Sequence, residues 1–273
     1  MANYHFEASI IKRSIGQSIV DRTAYIWKEK LRDSYTGRIY DRRTGAVQKP
    51  ISGIRLPDGA PSKLYNAQEF LDALNASEKR CDAQMARSYI LSLPNELTLE
   101  QQLELAMTFI DVNFTKIGYG SIYAIHLNAA NDRGRESIPA REGEIKANPH
   151  LHLIVPFRLI DGNGFQPTKL MSRTTNSREY LIRLRRAWAD DQNRFYERLG
   201  LNIRVSHESL DMQGLCKHRV PHLSPAEFAL ERKGEKTRNG DRLREAVKKN
   251  ERLFHGRSHE RTRGLEREPG PSR

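Results

Sequence analysis

Two histidines separated by one leucine open the apolar segment HLHLIV, which begins at His150. Side chains on a β-strand alternate between its two faces, so His150 and His152 share one face while the leucines share the other. A third histidine, His126, lies near the end of the segment GSIYAIHLN. If these strands are neighbours, three neutral imidazoles converge and can bind a metal with coordination positions left open. Ordinary packed core histidines would give the same spacing.

Such a metal site supports two kinds of chemistry, because the metal can activate water or polarise a phosphate oxygen. The net charge of +12 indicates a polyanionic partner, most often nucleic acid. The alternative is that the charge only keeps the protein soluble. Phosphoryl transfer needs an in-line nucleophile, and several tyrosines lie in the first forty residues. Tyr25 stands in a predicted helix beside Trp27, with Arg22, Lys28 and Lys30 near it. A plain amphipathic helix would explain this tyrosine equally well.

The elements that must position these groups alternate irregularly along the chain. Periodicity predicts strands over 3–11, 88–94, 120–128, 150–159 and 201–207, and helices over 19–33, 66–87, 98–114 and 177–200. Several strands are amphipathic. The pattern therefore favours an α+β fold, with a central antiparallel sheet flanked by helices, over a doubly wound fold.

Composition sets the domain organisation and the compartment that we expect. From about Ser224 onward, Gly, Arg, Lys and Glu dominate, which predicts a domain over 1–223 and a basic, partly helical or disordered tail over 224–273. The two cysteines are far apart and suit a reducing cytosol. No apolar run approaches the roughly 18 residues that a membrane span needs. We expect a soluble, cytoplasmic protein without membrane insertion.

Five sequence stretches occur in a fixed order along the chain. This order is more specific evidence for a protein family than any one stretch alone. They are YHFEASIIKRSIGQS, AYIWKEKLRDSYTGRIYDRRTG, ILSLPNELTLEQQLELA, AIHLN…NPHLHLIVPFRLIDGNGF and LRRAWADDQNRFYERLGLNIRVSHESLDMQG. In this order the chain resembles the MobA/MobL family of plasmid mobilisation relaxases, within the HUH endonuclease class. The resemblance runs over about 2–223 and implies the HUH relaxase-like fold, a central antiparallel sheet flanked by helices.

The resemblance implies a conjugative or mobilisation relaxase that nicks one DNA strand at the origin of transfer. His126, His150 and His152 would bind one divalent metal, Mg²⁺ or Mn²⁺. Tyr25, in the pattern AYxxxxxL, would be the nucleophile, would form a covalent 5′-phosphotyrosine adduct and would later allow the ends to be rejoined. Single-stranded plasmid DNA, accessory mobilisation proteins and a coupling protein would be the partners. Tyr25 precedes the histidine pair, as in relaxases, whereas rolling-circle replication initiators usually have the opposite order.

The chain departs from the family pattern in the strand before Leu93-Pro94. The family often reads REFEIALP there, whereas this chain reads RSYILSLP, with Ser88 and Ile90 where glutamates are common. Neither position therefore supplies an acid that could orient a ligand or accept a proton. Acids that could substitute are Asp82, Glu142 and Glu144.

Several other residues are candidate DNA contacts. Arg13 and Gln17 lie in the turn before the tyrosine helix, while Arg22 and Lys28 flank Tyr25. A later helix carries three further basic candidates, Arg183, Arg185 and Arg186. The arginine-containing segment 129–147 is longer than the family suggests, and we interpret it as an insertion in preference to a DNA contact.

Two alternatives to the strand transferase stay open. A trihistidine metallohydrolase would use water, would leave no adduct and would not need Tyr25. A DNA-binding plasmid accessory protein would bind without cleavage, and the missing glutamates are its best support.

Overall fold

The architecture comes from a computed structural model that describes residues 4–43, 49–127, 148–169, 177–209, 212–213, 218, 220–221 and 223–265. The chain divides into two compact units, one ending at His207 and one beginning at Glu208. Our predicted boundary between 223 and 224 stays a prediction. The predicted insertion over 129–147, including Glu142 and Glu144, lies outside the described residues.

The first unit is built on a five-stranded sheet in the order β1-β5-β7-β6-β4, in which every neighbouring pair is antiparallel. The strands are β1 (Phe6–Lys12), β2 (Lys30–Arg32), β3 (Ile39–Asp41), β4 (Ile51–Arg55), β5 (Gln84–Ser92), β6 (Ser121–His126), β7 (His150–Pro156), β8 (Ile160–Asp161) and β9 (Gly164–Phe165). The helices of this unit are α1 (Ile19–Trp27), α2 (Ala67–Ser77), α3 (Leu99–Asn113) and α4 (Arg178–Arg198). The predicted α+β class is confirmed.

Helices cover both faces of the sheet. Ala124 and Ile154 belong to one apolar cluster with buried residues of α1 and α2. Leu151 and Leu153 belong to a second cluster, with buried residues of α3 and α4. Because strand side chains alternate, the histidines of β7 face the layer of α1 and α2.

The helix predicted over 19–33 is too long, because α1 ends at Trp27. Lys28 caps it in the left-handed region, with φ 56° and ψ 44°. A residue in this conformation breaks the helical repeat, and the chain then turns into β2. Lys30–Arg32 pairs antiparallel with Ile39–Asp41 and forms a short hairpin.

The helix predicted over 66–87 is also too long, since α2 ends at Ser77 and β5 begins at Gln84. Strand β5 lies between β1 and β7 and pairs with both. Two ladders of main-chain hydrogen bonds and burial on both faces outweigh the helical propensity of this segment. The strand predicted over 201–207 is wrong, because the described residues there have no ladder partner.

The second unit contains two helices in its described part, α5 (Pro225–Arg232) and α6 (Arg238–Leu265). Ser224 and Glu227 form a capping box at the start of α5. Arg244 of α6 pairs with Asp241 and with Glu231 of α5. Among all described helices, none has the length and apolar character to cross a membrane.

A buried ion cluster fixes the sheet at the end far from the histidines. Glu78, just after α2, accepts a hydrogen bond from Arg158 Nε at 2.8 Å and forms an ion pair with Lys169 Nζ at 2.7 Å. Only 4% of the Glu78 side chain and 11% of the Arg158 side chain are exposed. Arg158 also donates to the main-chain oxygens of Gln166 and Pro167. The cluster therefore joins α2 to the chain that follows β9.

We predict that Glu78→Ala lowers the free energy of unfolding by about 3 kcal/mol, because two cations lose their shared buried partner. Urea denaturation followed by circular dichroism measures this change. Asp82→Ala is the matched control, since the pair of Arg80 and Asp82 is exposed and such pairs contribute about 0–1 kcal/mol. Equal losses from both variants would contradict the assigned role of Glu78.

Candidate active site

The three histidines come together on adjacent strands. His126 of β6 lies directly opposite His150 of the central strand β7, and His152 lies opposite Ala124. One potential ligand nitrogen from each ring lies within 4.8 Å of the others. His150 Nε2 and His152 Nε2 are 3.1 Å apart. The convergence that the spacing predicted is confirmed.

Main-chain carbonyls orient two of these rings. His150 Nδ1 lies 2.8 Å from the carbonyl oxygen of Asn148, and His126 Nε2 lies 2.7 Å from that of Ile26. A carbonyl oxygen only accepts, so each of these ring nitrogens carries the proton. The other nitrogen of each ring then has a lone pair, which is the usual arrangement around a histidine that binds a metal.

The residues on β5 beside the histidines are not acidic. Ile90 lies opposite His152, Ser92 opposite His150, and Ser88 one row further along the same face. Glutamates at positions 88 and 90 would therefore have stood on the histidine face. Asp82 precedes the far end of β5 and pairs with Arg80, so it does not replace them.

The histidine face continues onto the edge strand β1, where sequence reasoning missed an acid. Glu7 lies opposite Ile90, and the main-chain nitrogen of His5 donates to Ser92 Oγ at 2.8 Å. His5 Nε2 and Glu7 Oε2 are 3.8 Å apart, and more than half of each side chain is exposed. The period-two spacing of His5 and Glu7 was the available signal. Glu7 stands two strands from His152, roughly 10 Å away at the usual strand separation.

Helix α1 brings Tyr25 to this region. Ser18 caps the helix by accepting from the main-chain nitrogens of Val20 and Asp21. At the other end, Trp27 Nε1 donates to the carbonyl oxygen of Tyr123 at 2.9 Å. Together with the bond from His126 to Ile26, this contact fixes the last turn of α1 against β6.

Tyr25 lines a cleft of about 320 Å³, which we call the Tyr25 cleft. Its other polar lining residues include Gln17, Asp21, Arg22, Tyr40 and Arg42. Arg42 pairs with Asp21 at 2.7 Å. Half-buried Tyr25 thus stands beside arginines that suit a phosphate.

Lys28 adds a cation next to the phenol. Its Nζ lies 4.4 Å from the centroid of the Tyr25 ring. Lys28 is the one described residue other than glycine with positive φ, a conformation that costs free energy and is often found at functional sites. The helix cap therefore holds a positive charge over the aromatic ring.

The candidate DNA contacts fall into two groups. Gln17 and Arg22 line the Tyr25 cleft, whereas Arg13 donates to Asn75 Oδ1 at 2.9 Å and lines an adjoining cavity. The second group is Arg183, Arg185 and Arg186, which belong to α4 on the opposite face of the sheet. The sheet thus separates these three arginines from Tyr25.

Almost the full length of this chain is similar to each of two mobilisation proteins. Mobilization protein MobL of Acidithiobacillus ferridurans is 29% identical over 286 residues, which cover 98% of this chain and 74% of that protein. Mobilization protein A of Escherichia coli is 29% identical over 305 residues, which cover 99% of this chain and 39% of that protein. The chain thus spans most of the first relative and well under half of the second.

Structural and family comparisons agree with these matches. A solved structure described as the molecular basis of vancomycin resistance transfer in Staphylococcus aureus superimposes with a TM-score of 0.60 and 26% identity, over 76% of this chain and 98% of that one. The family model described as MobA/MobL matches residues 17–233. Because this match covers most of the chain, including Tyr25 and all three histidines, the chain belongs to the MobA/MobL family.

Proposed function

We propose that this chain is a relaxase that nicks one strand of plasmid DNA at an origin of transfer and later rejoins it. The observation that carries the proposal is the hydrogen bond from His126 to the carbonyl of Ile26, the residue after Tyr25. It joins the tyrosine helix to the histidine cluster. Because the chain is 29% identical to two proteins that are named for mobilisation, their named process supports the same assignment.

Tyr25 would transfer the strand in one in-line displacement. Its Oη would form a bond to phosphorus while the bond from phosphorus to O3′ breaks, and the phenol proton would leave as the 3′ oxygen gains one. The product is a 5′-phosphotyrosine, so the phosphodiester bond energy is kept and the reverse step needs no nucleotide cofactor. Lys28 would stabilise the developing phenolate by its charge.

The histidine cluster fits a divalent metal, which when bound would withdraw charge from the scissile phosphate. His126 and His152 are almost fully buried, at 6% and 7% exposure. His126 and His150 each have one ring nitrogen fixed by a carbonyl, so the rings are oriented before any ligand arrives. Three imidazole donors favour Mn²⁺ over Mg²⁺, since Mg²⁺ prefers oxygen ligands and gives up its bound water reluctantly.

We predict that Tyr25→Phe abolishes the covalent adduct while DNA binding is kept within about twofold. The test incubates the chain with a random-sequence single-stranded DNA library and Mn²⁺, denatures it in detergent, and recovers protein-linked DNA. Tyr65→Phe, in the exposed turn before α2, is the control and should react like the unaltered chain. Undiminished adduct from the Tyr25→Phe variant would refute the nucleophile assignment, and cleavage without any adduct would favour the metallohydrolase.

We predict that His152→Ala weakens Mn²⁺ binding at least about 100-fold, because one of three ligands is lost and the site is small. Isothermal titration calorimetry without DNA measures this directly. The unaltered chain should bind Mn²⁺ more tightly than Mg²⁺. His5→Ala removes a histidine of the same sheet face and should leave the affinity unchanged. Equal binding by the His152 and His5 variants would argue against the metal site.

We predict that Lys28→Gly has opposite effects on stability and on reaction rate. Glycine tolerates positive φ, so the free energy of unfolding should rise by about 0.5–1 kcal/mol. The loss of the cation should slow adduct formation about tenfold, because the developing phenolate loses a nearby positive charge. Lys28→Arg keeps the charge and should retain most of the rate. An unchanged rate of adduct formation in the Lys28→Gly variant would exclude this role.

A further inference from the structure

A second cavity adjoins the Tyr25 cleft. It has a volume of about 350 Å³ and shares four lining residues with the cleft, Gly16, Gln17, Ser18 and Tyr40. Its remaining wall includes Arg13, Tyr35, Arg38, Asn75 and Cys81. We call this cavity the Tyr35 slot. A volume of this size lies within the range of small-molecule sites and accommodates one nucleotide.

The slot is held open by a buried carboxylate. Asp33, only 3% exposed, accepts from Ser18 Oγ at 2.9 Å, from the main-chain nitrogen of Tyr35 at 3.0 Å and from Asn75 Nδ2 at 3.2 Å. These three bonds join the cap of α1, the β2–β3 hairpin and α2. The slot therefore exists before any ligand binds, and its position relative to the helix of Tyr25 is fixed.

One face of the Tyr35 ring is covered by a cation. The Arg13 guanidinium carbon lies 3.7 Å from the ring centroid, yet 48% of Tyr35 remains exposed. The partners that fix Arg13 are neutral, namely Asn75 Oδ1 and the main-chain oxygens of Glu78 and Arg80. The charge of Arg13 therefore remains available to a phosphate, while its contact with Tyr35 holds the ring in place.

The cleft and the slot together have the composition of a site for single-stranded nucleic acid. Three tyrosines line them: Tyr25, Tyr35 and Tyr40. Four arginines, Arg13, Arg22, Arg38 and Arg42, outnumber the two aspartates, Asp21 and Asp33. Aromatic rings that stack on bases, set in a positively charged groove, are the features by which proteins bind single strands irrespective of sequence.

We propose that the Tyr35 slot binds one unstacked base of single-stranded DNA, close to the nucleotide that reacts with Tyr25. The base would stack on the exposed surface of Tyr35, and Arg38 would contact an adjacent phosphate. The proposal rests on the proposed function, because the groove leads from the nucleophile. The proposal gives the β2–β3 hairpin the task of holding the substrate strand, although its first strand lies in the segment 19–33 that the sequence predicted as helix.

The first test measures binding of fluorescein-labelled dT20 by anisotropy in EDTA, where no strand transfer occurs. Tyr35→Ala should weaken binding about 5- to 100-fold, the range found when a stacking ring is removed. Tyr35→Phe keeps the ring and should bind like the unaltered chain. Tyr65→Ala is the matched control, because Tyr65 is 60% exposed and lines neither cavity. Binding by the Tyr35→Ala variant within twofold of the unaltered chain would overturn the proposal.

The second test needs no variant at the stacking position. Cys81 is exposed and lines the slot, so bound dT20 should slow its alkylation by a maleimide at least about tenfold. Peptide mass spectrometry separates Cys81 from Cys216. An alkylation rate that dT20 leaves unchanged would count against the slot.

Arg38→Gln should also reduce the slope of log affinity for dT20 against log salt concentration by about 0.7, as the loss of one phosphate contact does.

These measurements separate the two proposals. If Tyr35→Ala weakens dT20 binding but the unaltered chain never forms an adduct, the slot proposal is supported and the relaxase assignment is refuted. If the unaltered chain forms the adduct through Tyr25 but the Tyr35→Ala variant binds dT20 normally, the relaxase assignment is supported and the slot proposal is refuted.

Discussion

The hydrogen bond between His126 Nε2 and the carbonyl oxygen of Ile26 connects the two halves of the candidate site. One partner belongs to the sheet and the other to the helix of Tyr25. Main-chain carbonyls in the last turn of a helix have no partner within that helix, so the histidine satisfies an otherwise unpaired acceptor. The same bond orients the imidazole. Together with the bond from Trp27 to the carbonyl oxygen of Tyr123, it holds the helix of Tyr25 and the histidine cluster on one support.

The main chain takes over a task that acids perform in many metal sites. At the two positions of β5 where the family resemblance implied glutamates, this chain has Ser88 and Ile90, and Ile90 stands directly opposite His152. His126 and His150 instead have carbonyl partners. A carbonyl cannot be removed by substitution of a side chain, and its position depends on the backbone. The integrity of the site therefore depends on the last turn of α1 and on the start of β7.

Lys28 and Asp33 show how the short segment after α1 organises the region. Lys28 ends the helix in a left-handed conformation and places its charge over the Tyr25 ring. Asp33 then joins the following hairpin to Ser18 at the beginning of the same helix. The helix is thus fixed at both ends, and the hairpin after it supplies Tyr35, Arg38 and Tyr40 to the walls of the two cavities. Periodicity predicted helix through this segment, because Leu31 has the spacing of an inward helical residue, but its buried position belongs to β2.

The sequence by itself determined the α+β class and the shared face of His150 and His152. It also identified His126 as a third ligand if its strand were a neighbour of theirs. It did so because strand periodicity is a local property that neighbouring residues encode. The order of motifs also predicted the family. Only the tertiary structure decided which strands are neighbours, that segment 84–92 is a central strand and not the end of a helix, and that Arg183, Arg185 and Arg186 stand behind the sheet. It also decided that carbonyls orient two of the histidines and that the cavity lined by Tyr35 adjoins the cleft lined by Tyr25. These features arise from pairing and burial between residues far apart in the chain, which no local pattern records.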